Sequence, residues 1–206
     1  MKQQFFSKAF LLLLSLFNIS STFSQKITPG IRAGANVSGW NISGASGTGL
    51  NTSSLANAEY GMFVNFKTGS SFSIEPGILY TTGGSVFKYD GDENKTTFNL
   101  SYLQMPLLAR YAVSKRFSVF AGPQAGILLK ATSTDLLVGK QEAKSLFKKN
   151  DFSLISGMQY NFPVGIGIGF KYATDITSIY SNGEQKIKNY FFGLNLSYEF
   201  KLASRK

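Results

Sequence analysis

The side chains that could do chemistry in this chain are carboxylates, lysines and arginines, because the 206-residue sequence contains no histidine and no cysteine. Without histidine, neither a Ser/His/Asp triad nor a His-ligated zinc site can form. Acid-base chemistry would have to rest on carboxylates or lysines alone. The composition therefore argues against the common hydrolase and zinc-enzyme classes, and we expect no catalytic residue, no cofactor and no metal.

Charged residues of both signs share one face of the predicted strands, at similar depth. Ion pairing across a narrow interior explains this placement more simply than catalysis does. We predict a structural charge network whose members are Arg32, Glu59, Glu75, Arg110, Lys171 and Glu199. The same interior face is predicted to carry Asp151 and Lys130.

The segments that position these side chains alternate apolar with polar or small residues, with the period of two that a β-strand requires. In YGMFVNF (60–66), Tyr60, Met62, Val64 and Phe66 form an apolar face, and the other face carries Gly61, Phe63 and Asn65 between Glu59 and Lys67. The next run, FSIEPGILY (72–80), follows after KTGSS, a connection of hairpin length. Each such pair of runs predicts two adjacent antiparallel strands.

Eight segments of this kind follow one another along the chain. Their bounds are 30–37, 59–67, 72–81, 97–111, 117–130, 151–162, 164–173 and 188–200. Tight turns alternate with long polar or glycine-rich loops, which we place at 39–56, 83–96, 131–150 and 174–187. Short turns on one side and long loops on the other are typical of outer-membrane barrels. We predict an all-β protein with an eight-stranded antiparallel up-and-down transmembrane β-barrel.

Aromatic residues flank the tight turns and end the last strand, as an interfacial girdle would. They are Phe66, Phe72, Tyr111, Phe117, Tyr160, Phe162, Tyr198 and Phe200. The alternative is a soluble barrel or sandwich whose aromatics fill a core. The interior face is instead rich in glycine, which favours the membrane barrel.

Two irregularities are predicted within the strands. Pro76, Pro106 and Pro123 lie inside strand segments, where a missing amide donor suggests β-bulges. In the fourth segment the apolar set changes face, which one extra residue near 104–106 would produce.

The N-terminal residues read as an export signal. Residues 1–24 combine Lys2 and Lys8 with the apolar run FLLLLSLF (10–17) and small residues before Gln25. This predicts a signal peptide at 1–24 and a single barrel domain at 25–206, with an uncleaved membrane anchor as the alternative. No later apolar run is long enough for a transmembrane helix.

Without Lys2 and Lys8 of the predicted signal peptide, the formal net charge falls from +10 to +8, which indicates contact with anionic lipid headgroups or an acidic partner. Nucleic acid is disfavoured because the basic residues are scattered. If the turns are assigned correctly, a basic rim gathers at the turn end of the barrel. Its predicted members are Lys67, Lys115, Arg116, Lys201, Arg205 and Lys206, with Lys26 beside them.

Five segments resemble the PorT-like outer-membrane β-barrel proteins, often called porin-family proteins. They are YLQMPLLARY (102–111), FAGPQAGILL (120–129), FKKNDFSLISGMQY (147–160), IGFKYATDITSIY (168–180) and FFGLNLSYEF (191–200). The order and spacing of these segments carry the resemblance. It implies a fold and an outer-membrane location, and it supplies no catalytic residues.

Two loop segments admit a second interpretation. In YDGDENK (89–95), Asp90, Asp92 and Glu93 could chelate calcium, although a solvated turn is the simpler interpretation. The segment KQEAKSLFKK (140–149) could be a short amphipathic helix with Leu146 and Phe147 toward the barrel rim, or a surface loop.

We therefore expect a non-enzymatic integral outer-membrane protein that anchors surface loops. The alternatives are narrow porin-like transport of small solutes and, less favoured, a lipid-modifying enzyme. Expected partners are outer-membrane lipid, the barrel-assembly machinery during biogenesis, and an unknown envelope or surface protein.

Overall fold

A computed structural model describes residues 26–43, 50–89, 95–135, 139–180 and 186–200. The predicted signal peptide and the acidic run 90–94 lie outside these residues. Within the described ranges, no helix has the length and apolar character needed to cross a bilayer.

The described chain is built almost entirely from antiparallel strands. Their bounds are β1 Lys26–Ser43, β2 Leu50–Lys67, β3 Phe72–Tyr89, β4 Lys95–Ala112, β5 Phe117–Asp135, β6 Gly139–Glu142, β7 Asn150–Asn161, β8 Ile166–Asp175 and β9 Lys186–Glu199. A 3-10 turn, Lys144–Leu146, follows β6.

Eight of these strands close into a ring in which each is hydrogen-bonded to two antiparallel neighbours. The order is β1, β2, β3, β4, β5, β7, β8 and β9, and β1 pairs with β9 to complete it. The short β6 pairs only with the end of β5. The predicted eight-stranded up-and-down barrel is thereby confirmed.

The two ends of the barrel differ. Residues 68–71, 113–116 and 162–165 form tight connections at one end, which we call the turn end; the opposite end is the loop end. The strands run further toward the loop end than predicted. The predicted loops include 39–43, 50–56, 83–89 and 131–135, and the structure shows these residues as strand. The predicted loop bounds are therefore wrong.

The outer wall carries a band of exposed apolar side chains. On β1 they include Ile27, Ile31 and Val37, and on β9 Leu194 and Leu196. The predicted aromatic residues all lie at the turn-end edge of this band. Near its other edge, aromatic pairs such as Tyr60–Tyr80 and Tyr172–Phe192 have ring centroids 5.3 and 4.8 Å apart. Two aromatic edges flanking an apolar band are the outer surface of a membrane barrel.

Beyond this band, toward the loop end, the apolar residues change from the outer face of the strands to the inner face, and the polar residues change from the inner face to the outer one. Trp40 is buried inside the barrel, whereas Asn41 and Ser43 are exposed on the outer wall. On β4, Leu100 faces inward and Asn99 outward. The outer wall here faces water instead of lipid, so the polar residues lie outside.

This reversal explains the change of face in β4, for which an extra residue near 104–106 was predicted. That prediction is wrong, because even-numbered residues of β4 from Leu100 to Arg110 face inward without interruption. The extra residue lies on β5: Ser101 pairs with Lys130 and Tyr102 with Leu128, which leaves Leu129 unpaired. A bulge shifts the residues beyond it to the other face.

Lys130 lies just beyond that bulge and is exposed on the outer wall. The prediction that it faces the interior is therefore wrong.

The predicted bulges at the prolines are also absent from the strand register. Pairing on either side of Pro76 and Pro106 keeps one register, and Pro123 pairs in register with Leu154. The residue pairs next to Pro76 and Pro106 are missing from the β-ladder, and pairing resumes beyond them in the same register. The missing amide donor is therefore accommodated without an extra residue. The second register shift lies between Ser54 and Glu59, away from any proline.

The segment 140–149 is neither of the two predicted forms. It begins in β6, passes through the 3-10 turn and forms a bridge between Phe147 and Tyr180. Phe147 is buried, and Lys144 donates a hydrogen bond from Nζ to the Leu129 carbonyl at 2.8 Å. Backbone hydrogen bonds join Ala143 and Lys149 to β5 and Lys148 to Ile179, so the segment continues the barrel wall.

Candidate functional site in the barrel interior

The interior is occupied at three levels. An aromatic plug fills the loop end, a cluster of buried charges fills the middle, and a water-accessible cavity opens at the turn end. Each level is built from inward-facing residues of several strands. Along each strand these residues alternate with residues that face outward.

The aromatic plug consists of Trp40, Phe87, Phe98 and Phe147. The Trp40 ring centroid lies 5.0, 5.5 and 5.6 Å from those of Phe87, Phe98 and Phe147, respectively. Such distances are those of packed aromatic pairs. Further buried apolar residues surround the plug: Leu100, Tyr102, Leu128, Ala131, Ala143, Ile179 and Ile187. The loop end of the interior is therefore packed with side chains.

Below the plug, the structure brings Arg32, Glu75 and Arg110 together. Arg32 Nη2 lies 2.7 Å from Glu75 Oε1, and Arg110 Nη2 lies 2.8 Å from Glu75 Oε2. All three side chains are at most 6% exposed. Arg110 also donates to Ser118 Oγ at 3.0 Å. One carboxylate bridges two guanidinium groups, so the cluster carries one excess positive charge.

Each guanidinium of this cluster also lies over an aromatic ring. Arg32 Cζ is 4.6 Å from the Phe63 centroid, and Arg110 Cζ is 5.1 Å from that of Phe120. The rings fit because a glycine lies opposite each: a Cβ on Gly30 would lie 2.4 Å from Phe63, and one on Gly157 would lie 2.5 Å from Phe120. The interior glycines thus make room for rings that support the charges.

A second ion pair joins Lys171 Nζ to Glu59 Oε2 across the interior, from β8 to β2. Both side chains are at most 5% exposed. Glu199, the remaining predicted member of the network, lies at the turn end, opposite Gly30 in the register. It takes part in none of the ion pairs found among the described residues.

Asp151 and Asp175 form a buried acidic pair nearer the loop end. Ser153 pairs with Asp175, so Asp151 is the diagonal neighbour of Asp175 on the interior face. Asp175 Oδ2 accepts a hydrogen bond from the backbone N–H of Asn189 at 2.9 Å. No described lysine or arginine forms a salt bridge with either carboxylate. The predicted strand ends at residue 173 and therefore does not reach Asp175.

The cavity at the turn end has a volume of about 160 Å³. Its lining includes inward residues of β2, β3, β4, β5, β7 and β9, together with residues of two turns. These are Asn65, Lys67, Gly69, Ser70, Ser71, Phe72, Ser73, Arg110, Ala112, Ser114, Lys115, Ser118, Asn161 and Glu199. Two predicted rim residues, Lys67 and Lys115, therefore line the cavity mouth.

The other predicted rim residues are placed differently. Arg116 is exposed and points to the outer wall, where Nη1 lies 3.3 Å from the Tyr160 hydroxyl. Lys201, Arg205 and Lys206 lie outside the described residues, as does the side chain of Lys26. Within the described ranges, no group of three or more acidic side chains could hold a metal ion.

Comparison with known proteins agrees with this geometry. Residues 22–200 match the family described as outer membrane protein β-barrel domain. The chain belongs to this family. It is therefore an integral outer-membrane protein, and its turn end faces the periplasm because short turns of such barrels lie on that side. No curated protein matches the chain by sequence.

Two solved structures share the fold at low sequence identity. Neisserial surface protein A is 11% identical, covers 85% of this chain and 99% of its own, and has a TM-score of 0.58. Ail, the attachment invasion locus protein of Yersinia pestis, was solved with the heparin analogue sucrose octasulfate; it is 15% identical, with 85% and 99% coverage and a TM-score of 0.50. At these identities the likeness concerns the fold.

Proposed function

We propose that the protein is a non-enzymatic outer-membrane anchor with a closed interior, whose loop end binds an envelope or surface partner. The observation that carries this proposal is the blocked interior. The aromatic plug and the Arg32–Glu75–Arg110 cluster occupy successive levels, and a barrel of eight strands has only enough interior for side chains.

The loop end suits a binding role because its strands extend beyond the apolar band with an exposed polar outer wall. The exposed strand β6, with sequence GKQE, is part of this extension. Rigid strands position surface groups more firmly than mobile loops do, which favours specific binding.

Conductance in planar bilayers tests the closed interior. Purified protein should produce no stepwise current, and the measurement should include a known porin inserted under the same conditions. Stable channels from the unmodified protein would contradict the anchor and support solute transport.

Site-specific photo-crosslinking in native membranes tests the partner. A crosslinker at Gln141 on β6 should give a protein adduct, whereas one at Gly69 in a periplasmic turn should not give the same adduct. Identical adducts from both positions would contradict binding at the loop end.

We further propose that the chain is a PorT-like member of its family and that residues 1–24 are a cleaved signal peptide. The five segments of PorT-like sequence and the apolar N-terminal run support these assignments. Insertion would then require the barrel-assembly machinery, with outer-membrane lipid around the finished barrel. N-terminal sequencing of protein from outer membranes should begin at Gln25.

A further inference from the structure

We propose that the periplasmic cavity at the turn end is a binding site for a phosphate group. This site is independent of the anchoring role. It rests on three observations: an open cavity of defined size, an excess of positive charge around it, and a buried donor at its inner end.

The charge of the cavity favours an anion. Lys67 and Lys115 lie at the mouth and Arg110 at the inner end, against a single carboxylate, Glu199. Arg110 also belongs to the cluster in which one Glu75 bridges two guanidinium groups, so it contributes positive charge that Glu75 does not fully neutralise. Basic groups in a cleft with low-dielectric walls concentrate anions.

The inner end of the cavity is built from buried donors. Arg110 is 5% exposed, and its Nε has no hydrogen-bond partner. The Ser73 and Ser118 side chains lie beside it and are also buried. The Nη groups of Arg110 are held by Glu75, by Ser118 Oγ and by Gln159 Oε1 at 3.3 Å, which leaves the Nε–H uncommitted. A fixed guanidinium with one free donor at the end of a basic cavity suits an acceptor oxygen of a phosphate group.

The volume of the cavity limits the size of the group that it can hold. A cavity of about 160 Å³ has the space of a few water molecules, each of which takes roughly 30 Å³ in the liquid. It can admit inorganic phosphate or the terminal phosphate of a monoester headgroup, while an acyl chain would remain outside. The cavity therefore recognises the phosphate, whether it is free or part of a lipid.

Adjacent basic residues supply a matched pair of variants. Lys115 lines the cavity, whereas Arg116 is exposed on the outer wall beside Tyr160. Both lie in a turn, so Lys115→Gln and Arg116→Gln remove the same charge and leave every strand intact. Diffuse attraction to the basic surface would respond equally to both changes.

The experiment titrates inorganic phosphate into the full chain folded in octyl glucoside, a detergent without phosphate, and follows binding by calorimetry and 31P NMR. Saturable binding of one phosphate per chain is expected. Lys115→Gln should weaken it about fivefold, the effect of one basic group near an anionic surface, and Arg116→Gln less than twofold. Equal weakening by the two variants, or no saturable binding, would overturn the proposal.

A second titration distinguishes the sources of the phosphate group. The chain is inserted into phosphatidylcholine vesicles with and without phosphatidic acid, whose headgroup is a phosphate monoester. If a lipid headgroup occupies the cavity, phosphatidic acid should weaken the binding of inorganic phosphate in the unmodified chain and less in Lys115→Gln. If the ligand is free phosphate, phosphatidic acid should act only through its negative surface potential, and it should weaken binding equally in the unmodified chain and in Lys115→Gln.

Discussion

Replacing Glu75 with glutamine is expected to destabilise the folded barrel by about 3–5 kcal/mol, because it leaves two buried guanidinium groups without their shared carboxylate. Glutamine has nearly the same shape as glutamate, so the packing around it is retained. The change therefore isolates the charge. Glu75 is 1% exposed, and water cannot easily replace what is lost.

The magnitude follows from the two contacts. Nitrogen-oxygen distances of 2.7 and 2.8 Å correspond to charge centres about 4 Å apart, and each pair then contributes about 4 kcal/mol at an effective dielectric constant of about 20. The amide oxygen of glutamine keeps part of this interaction, and the Phe63 and Phe120 rings continue to stabilise the guanidinium groups. The expected net loss is therefore smaller than the sum of the two contacts.

Urea unfolding in vesicles of one fixed lipid composition measures this loss. The single tryptophan of the chain, Trp40, is 4% exposed in the aromatic plug, so its fluorescence reports whether the barrel is folded. Glu142→Gln is the matched control, because Glu142 lies exposed on β6 and its change should stay within about 0.5 kcal/mol.

The double variant Glu75→Gln/Arg110→Gln tests whether the loss of stability comes from unpaired charge or from altered packing. Removing one of the two stranded cations should restore part of the lost stability, since only Arg32 then remains uncompensated. A loss below about 1 kcal/mol for Glu75→Gln, or no recovery in the double variant, would refute the argument that this cluster depends on its single carboxylate.

Three further changes probe other levels of the barrel. Asp175→Asn should raise the free energy of unfolding by about 1–3 kcal/mol at pH 7, because the folded chain must either bury this acidic group as an unpaired charge or protonate it. Asparagine needs neither, and its amide oxygen still accepts the Asn189 backbone N–H. Phe147→Ala should lower it by about 3–5 kcal/mol through a cavity in the plug, and the Trp40 emission should shift to the red. Ile31→Arg, in the apolar band of β1, should cost more in bilayers than Asn41→Arg, on the same face beyond the band, for which about 0–1 kcal/mol is expected.

Each of these has an outcome that contradicts it. Destabilisation by Asp175→Asn would mean that the carboxylate has a compensating partner. An unchanged Trp40 emission in Phe147→Ala would show that the plug does not enclose the indole. Equal losses for Ile31→Arg and Asn41→Arg would place both residues in the same environment, against the assigned membrane boundary.

The period-two pattern was sufficient to predict the barrel, its strand number and the inward direction of Arg32, Glu75 and Arg110. It was insufficient beyond the membrane boundary. There Trp40, Phe87 and Phe98 face inward and polar residues face outward. The period-two pattern predicts loops in this region, or an extra residue in the strand. Both a strand in lipid and a strand in water alternate with a period of two, but the apolar residues lie on the outer face in lipid and on the inner face in water. A change of surroundings and a bulge therefore produce the same change of apolar face in the sequence.

The amino-acid sequence by itself determined the closed antiparallel wall and the separation of lipid-facing from interior side chains, because both depend on local alternation along each strand. The tertiary structure alone decided which charges meet. Glu75 bridges arginines from β1 and β4, Glu59 pairs with Lys171 across the interior, and Lys130 is turned outward by an unpaired residue on its own strand. These contacts depend on the register and stagger between strands distant in sequence, and the pattern within one strand does not record them.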